Sequence, residues 1–265
     1  MLARIDFNCD LGEGCDDAAV LPFISSANIA CGAHAGDTDT MRRTLDLCLR
    51  HGVAVGAHPA FDDREHFGRR EVALAPSQIH ALVARQVEAL MRIADERGAR
   101  VAHIKPHGAL YNLAARNESV AEAIAQAVRA ADANLYLVGL AGSALPAAGT
   151  AIGLRVLHEV FAERRYEADG TLTPRTHADA VIHDIDPALA QVRGIVHDGC
   201  VIARSGERVA LRADTLCLHG DRPDAADFAL AVRAQLDTEG VTVAAPTRQT
   251  PLSPLAGKGR DGGDR

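Results

Sequence analysis

The stretch His103-Ile104-Lys105-Pro106-His107-Gly108-Ala109-Leu110-Tyr111-Asn112 sets two imidazoles and an ammonium at alternate positions. The run Arg100 to Ile104 predicts a short buried strand that ends where Pro106 removes a backbone donor. Side chains alternate along a strand, so His103, Lys105 and, if the path stays extended, His107 share one face. Such groups are costly on a core strand unless they are fully paired or at work. Lys105 stands out further, because the only other lysine, Lys258, lies in a Gly- and charge-rich C-terminal stretch. Arginine offers a planar, permanently charged fork, whereas lysine offers a compact point charge. Lys105 is therefore either a paired structural cation or a catalytic one.

The elements that would position these groups alternate. Strands are predicted at Arg4–Cys9, Ala27–Cys31, Val53–Ala57, Val101–Lys105, Leu135–Gly139, Arg155–Val160 and Thr215–Leu218. Amphipathic helices are predicted at Thr38–Arg50, Pro76–Arg97, Ser119–Ala131 and Asp224–Leu236. Pro76 near the start and Gly98 past the end of the second helix follow the usual start and stop asymmetry. Gly194–Leu211 reads as an inserted hairpin, with Cys200–Ala203 and Arg208–Leu211 flanking Ser205-Gly206. This pattern predicts a single α/β domain over residues 1–243, a seven-stranded (β/α) barrel, followed by a disordered tail over 244–265.

On that scaffold the polar clusters fall at strand exits, which form the active-site face of parallel barrels. Asp10 and Glu13 follow the first strand; Asn28, His34 and Asp37 attend the second; His58 follows the third. Lys105 and His107 follow the fourth, Glu159 and Arg164 the sixth, His219 and Asp221 the last. Singly, several have ordinary explanations: Asp10-Leu11-Gly12-Glu13 as a turn, His58-Pro59 as a strand end, Asp37 as a helix cap, Arg69-Arg70 as surface charge. Together they mark a site. His219-Gly220-Asp221 suits proton transfer or metal binding, because a tight glycine turn brings imidazole and carboxylate together. His51, His66, His80, His177, His183 and His197 lie in predicted helices or loops and read as background.

Composition sets the outer limits. The 265 residues are 48% hydrophobic, enough for a sizeable core. A net charge of −7 argues against nucleic acid and anionic membrane partners. No apolar run reaches spanning length, and no basic-plus-hydrophobic leader opens the chain. The six cysteines lack CxxC spacing and read as reduced core thiols, so the expected location is cytoplasmic.

Six stretches, in order, resemble the LamB/YcsF family. They are Asn8–Glu13, Ser26–Gly32 with His34-Ala35-Gly36-Asp37, Gly56-Ala57-His58-Pro59, Lys105–Asn112, Glu159–Ala162 with Arg164 and Tyr166, and His219-Gly220-Asp221. The resemblance runs from about residue 5 to 236. It implies a barrel similar to the glycoside hydrolase/deacetylase superfamily. It also implies ATP-dependent opening of 5-oxo-L-proline to L-glutamate together with two partner subunits, B and C. The chain departs from the pattern at the shortened Gly14-Cys15-Asp16-Asp17, at Ala33 in place of phenylalanine, and at His66 in place of glycine. These positions bear on pocket shape.

A lactam carbonyl is a poor electrophile, so opening it needs an activated oxygen, an aimed water and a proton for the departing nitrogen. Asp10 or Glu13 is the candidate base, Lys105 and Arg164 the candidates for oxyanion or phosphate charge, and His107 or His219 with Asp221 the proton carriers. Asn28, His34, His58, Glu159 and Arg164 are the expected binding groups. Neither GxxxxGK[ST] nor GxGxxG is present. Two alternatives remain open. One is a metal-dependent amidohydrolase or deacetylase acting alone, with a divalent ion on Asp10, His34, His58, His107 and His219. The other is a non-catalytic binding subunit.

Overall fold

In the computed structural model, which describes residues 2–220 and 224–246, apolar strands alternate with helices as the periodicity predicts. The chain runs β1 (Arg4–Leu11), α1 (Asp17–Val20), β2 (Ser26–Ala30), α2 (Thr38–His51), β3 (Ala54–His58), α3 (Pro76–Glu96), β4 (Val101–Ile104) and α4 (Gly108–Arg116). It continues through α5 (Glu118–Ala131), β5 (Tyr136–Leu140), α6 (Ala144–Ala151), β6 (Arg155–Phe161), α7 (Ile185–Arg193), β7 (Cys200–Ile202), β8 (Arg208–Ala210), β9 (Thr215–His219), α8 (Ala225–Thr238) and β10 (Thr242–Val243). Seven parallel strands, β1 to β6 and β9, pair in sequence, and β9 returns to β1 to close the barrel. Closure pairs Asp10 of β1 with both Asn28 of β2 and His219 of β9, three strand ends with one mouth.

Local chemistry sets the helix ends. Asp37 caps α2 by accepting from the Thr40 backbone N–H at 2.8 Å, and Asn117 caps α5 through Val120. Asp37 is thus committed to its helix. Helices α4, α6 and α7 were not among the predicted helices, because eight or nine residues barely complete two turns of pattern. Gly194–Asp198, expected within the hairpin, instead continues α7 as a π-helical turn. The hairpin proper is β7 against β8. Ala244 donates to the Ile5 carbonyl at 3.0 Å, so the barrel's hydrogen bonding reaches one residue past the expected boundary. The remainder of the predicted tail, 247–265, lies outside the described residues, as does Asp221. Among the described residues no helix is long and apolar enough to cross a membrane.

The apolar core lies between barrel and helices, with Phe7, Ile29, Leu90, Ile104 and Val232 among its buried members. The barrel interior is different. Asp6, Asn8 and Asp10 of β1, Ser26 and Asn28 of β2, His103 of β4, Glu159 of β6 and Thr215 of β9 are all buried, and side-chain hydrogen bonds tie them together. Where such barrels usually stack branched apolar layers, this one stacks hydrogen-bonded polar groups.

Candidate functional site

The interior network rises in steps towards the mouth. At the bottom the Asp6 carboxylate accepts from Ser25 at 2.7 Å, Ser26 at 2.8 Å and Thr215 at 2.6 Å. Burial outweighs these hydroxyls and pushes Asp6 above the usual carboxylate range. Above it, the Asn8 amide donates to Thr215 and Glu159 and its oxygen accepts from Asn28 and Lys105, which uses its whole hydrogen-bonding capacity. His103 donates through Nε2 to the Asn28 oxygen at 2.7 Å. Its ring occupies the space beside Gly56, where a Cβ would come within 2.1 Å of Nε2. Burial, with the Lys105 charge, drops His103 to about 3, so it sits as a neutral imidazole.

Lys105 lies at the centre and is 2% exposed. Its Nζ reaches Asp10 Oδ1 and Glu159 Oε1 at 2.9 Å each, Cys217 Sγ at 3.0 Å and Asn8 Oδ1 at 3.2 Å. An ammonium has three hydrogens, and four acceptors surround them. Burial opposes the charge, yet Asp10, Cys217 and Glu159 outweigh it and hold Lys105 well above its ordinary value. Asp10 shows the converse: burial opposes ionisation, but His58 and Lys105 prevail and keep the carboxyl well below the carboxylate range. Asp10 also accepts from Asn28 at 2.8 Å. It is a fixed, ionised carboxylate at the barrel mouth.

Around Asp10 stand four imidazoles. His58 places Nε2 3.3 Å from Asp10 Oδ2, and its Nδ1 donates to the Lys105 carbonyl at 2.7 Å. His107, at the start of α4, donates through Nε2 to the Phe67 carbonyl at 2.9 Å and turns Nδ1 towards His58 Nε2 at 3.0 Å. His34 donates through Nε2 to Glu13 at 2.8 Å and stacks on His107 at 3.8 Å between ring centroids. Burial, helped by His58, lowers His34 to about 3 and His107 well below the imidazole range. Gly68 makes room for this stack, since a Cβ there would lie 2.9 Å from His34 and 3.0 Å from His107. On the opposite wall His219 pairs through Nδ1 with the buried carboxylate of Glu163 and stacks on Phe161. Burial opposes the Glu163 charge, but His219 lowers its pKa.

The expected residues therefore divide. Asp10, His58, Lys105, His107, Arg164 and His219 line one cavity at the mouth. Glu13 and His34 border a wider groove of about 700 Å³ that also touches Arg43 and Arg64. Asn28 and Glu159 sit beneath, as supports of Asp10 and Lys105. Arg164 spends Nε and Nη2 on the Ala180 and Thr173 carbonyls, and burial, with Arg175 nearby, lowers its pKa to about 10. His219 stands with Asp10 and Cys217, apart from the His34, His58 and His107 group.

Asn8, Cys217, Thr215 and Glu163 escaped the reading of the sequence. The first three carried a signal: Asp6, Asn8 and Asp10 alternate with apolar residues along β1, as Thr215, Cys217 and His219 do along β9. Glu163 carried none, since it lies 56 positions from His219 in a loop.

Comparison with known proteins finds relatives that match nearly the whole chain. A curated relative from Bordetella pertussis, named as the A subunit of 5-oxoprolinase, is 53% identical over 251 residues, covering 92% of this chain and all of its own. One from Methylococcus capsulatus with the same name is 52% identical, covering 92% of this chain and 96% of its own. The crystal structure of a lactam utilization protein from Thermus thermophilus superposes with a TM-score of 0.86 at 43% identity, over 91% of this chain and 99% of that one. The family model described as LamB/YcsF matches residues 5–251. With its motifs in order, its barrel closed and relatives above half identity over nearly its whole length, the chain belongs to the LamB/YcsF family.

Proposed function

We propose that this chain is the barrel component of an ATP-dependent 5-oxoprolinase. It would open the lactam of 5-oxo-L-proline to L-glutamate as ATP is cleaved to ADP and phosphate, working with two partner subunits, B and C. The observation that carries the reading is the full-length similarity to proteins named as the A subunit of 5-oxoprolinase, joined to a mouth that holds an ionised carboxylate among imidazoles.

The residues take distinct parts. Asp10, kept charged by Lys105 and aimed by Asn28, is the base that draws a proton from water. After ATP transfers its γ-phosphate to the lactam oxygen, that water adds to the carbon, the C–N bond breaks with its electron pair left on nitrogen, and a second water hydrolyses the resulting acyl phosphate to the carboxylate and phosphate. His219, its Nδ1 held by Glu163, supplies the proton that nitrogen needs. Lys105 acts through Asp10, because its hydrogens are already shared among four acceptors. Negative charge on the substrate meets Arg164, with Arg69 and Arg175 beside it on the cavity wall. A nucleotide phosphate on this chain would meet these guanidiniums, since the sequence has no glycine-rich phosphate loop.

The test is reconstitution. The chain mixed with its B and C partners should form glutamate from 5-oxoproline only when ATP is added. Asp10→Asn should assemble normally and lose about a hundredfold in turnover, the usual scale for a lost base. Glutamate formed without ATP, or an Asp10→Asn enzyme at full rate, would overturn the reading.

A further inference from the structure

His58 and His107 each turn one ring nitrogen towards a common point. A carbonyl can only accept, so His58 Nδ1 carries the hydrogen donated to Lys105 and His107 Nε2 carries the one donated to Phe67. The other two nitrogens, His58 Nε2 and His107 Nδ1, face each other at 3.0 Å, with Asp10 Oδ2 3.3 Å from the former. A carboxylate oxygen completes the group: Glu13 Oε1 lies 3.5 Å from His107 Nδ1 and 3.8 Å from His58 Nε2. Three electron-rich atoms thus converge in a water-poor pocket. Either a proton held on His58 or a metal ion at the centre would bridge them.

We propose that Glu13, His58 and His107 form a three-ligand binding site for a divalent transition-metal ion of the zinc type. The spacing fits the ion. A triangle with edges of 3.0, 3.5 and 3.8 Å has a centre about 2.0 Å from every corner, the length of a Zn–N or Zn–O bond. The hydrogen bonds from the far nitrogens to backbone carbonyls fix ring orientation and tautomer, as supports of metal-bound histidines do. Phe67, which supplies one of those carbonyls, is the one residue other than glycine with positive φ among the described residues, at 55°. Such a conformation persists only where the surroundings enforce it.

The geometry also says which neighbours are not ligands. His34 stacks on His107 with ring planes 6° apart, so lone pairs in the two planes run parallel and cannot meet at one ion. Its Nε2 hydrogen is given to Glu13 instead, which makes His34 a support for that ligand. His219 belongs to a separate cluster with Asp10 and Cys217 and is paired with Glu163. The site therefore takes two of the five ligands suggested by the sequence and adds Glu13. The groove beside Glu13 gives an ion a path in.

The site shares the mouth with the lactam-opening reading but does not depend on it, because it is measured without substrate, ATP or partner. The full chain, stripped with a chelator and dialysed, is titrated with Co²⁺ and Zn²⁺. Elemental analysis should find about one ion per chain. Co²⁺ should give visible d–d bands displaced by Zn²⁺, and either ion should raise the melting temperature. His58→Gln and His107→Gln should each lower the affinity at least a hundredfold while circular dichroism stays native. His34→Gln should keep the stoichiometry and the Co²⁺ bands. Absence of stoichiometric metal, of bands and of a melting shift in the wild type would overturn the proposal and leave a shared proton between the two rings. A His34→Gln chain that loses the metal as His107→Gln does would overturn the ligand set.

Discussion

Lys105 is the test of the buried network. Its ammonium contacts both Asp10 and Glu159, at 2.9 Å from each. Lys105→Met keeps most of the side chain's length and removes the charge, stranding two buried carboxylates. Breaking a buried pair from one side costs about 3–5 kcal/mol, a large part of the roughly 5–15 kcal/mol that stabilises a typical domain. For a chain of this size that is a fall in melting temperature of roughly 6–20 °C. Lys105→Arg keeps the charge but forces a larger planar head into space walled by Asn8 and Cys217, an overpacking cost of about 1–3 kcal/mol. Urea unfolding at pH 7 should therefore rank wild type above Arg and Arg above Met. Adding Glu159→Gln to Lys105→Met removes one stranded charge and should restore part of the loss. Both single variants should be nearly inactive, because a displacement of Asp10 by an ångström costs on the order of a hundredfold. A Lys105→Met chain as stable as wild type would refute the pairing argument. A well-folded, fully active Lys105→Arg enzyme would refute the need for a compact ammonium.

Two other perturbations probe the same structure. Gly56→Ala places a methyl 2.1 Å from His103 Nε2, so the ring must leave Asn28; we expect a loss of about 1–3 kcal/mol in urea unfolding, and His103→Ala in the same chain should recover it. The Glu163 carboxyl titrates below its unfolded value, so its contribution to stability is complete above the unfolded pKa and is lost as pH falls through the folded one. Wild-type stability should drop steeply below about pH 4.5, and Glu163→Gln should flatten that drop; an identical acid limb in both chains would show that the His219 pair contributes nothing to it.

The sequence alone determined the elements and their order. Alternation with period two marks strands and period 3.6 marks helices, and both depend only on neighbours within a turn or two, so β1, α3 and α5 were legible. Counting seven such strands was enough to expect a closed barrel and to place Asp10, His58, Lys105, His107 and His219 at one mouth, because parallel strands share one exit face. Tertiary structure decided everything that depends on which distant atoms meet. The closing of β9 onto β1 brings Cys217 against Lys105, 112 positions away, and saturates its hydrogens. A loop carries Glu163 to His219, although nothing near either residue announces the other. Stacking sets His34 aside from the ring nitrogens it lies beside, a matter of ring planes that no spacing encodes. Charges and lone pairs act through space over a few ångströms, whereas the sequence orders residues along a chain. The types of chemistry could therefore be read before folding, and their partners only after it.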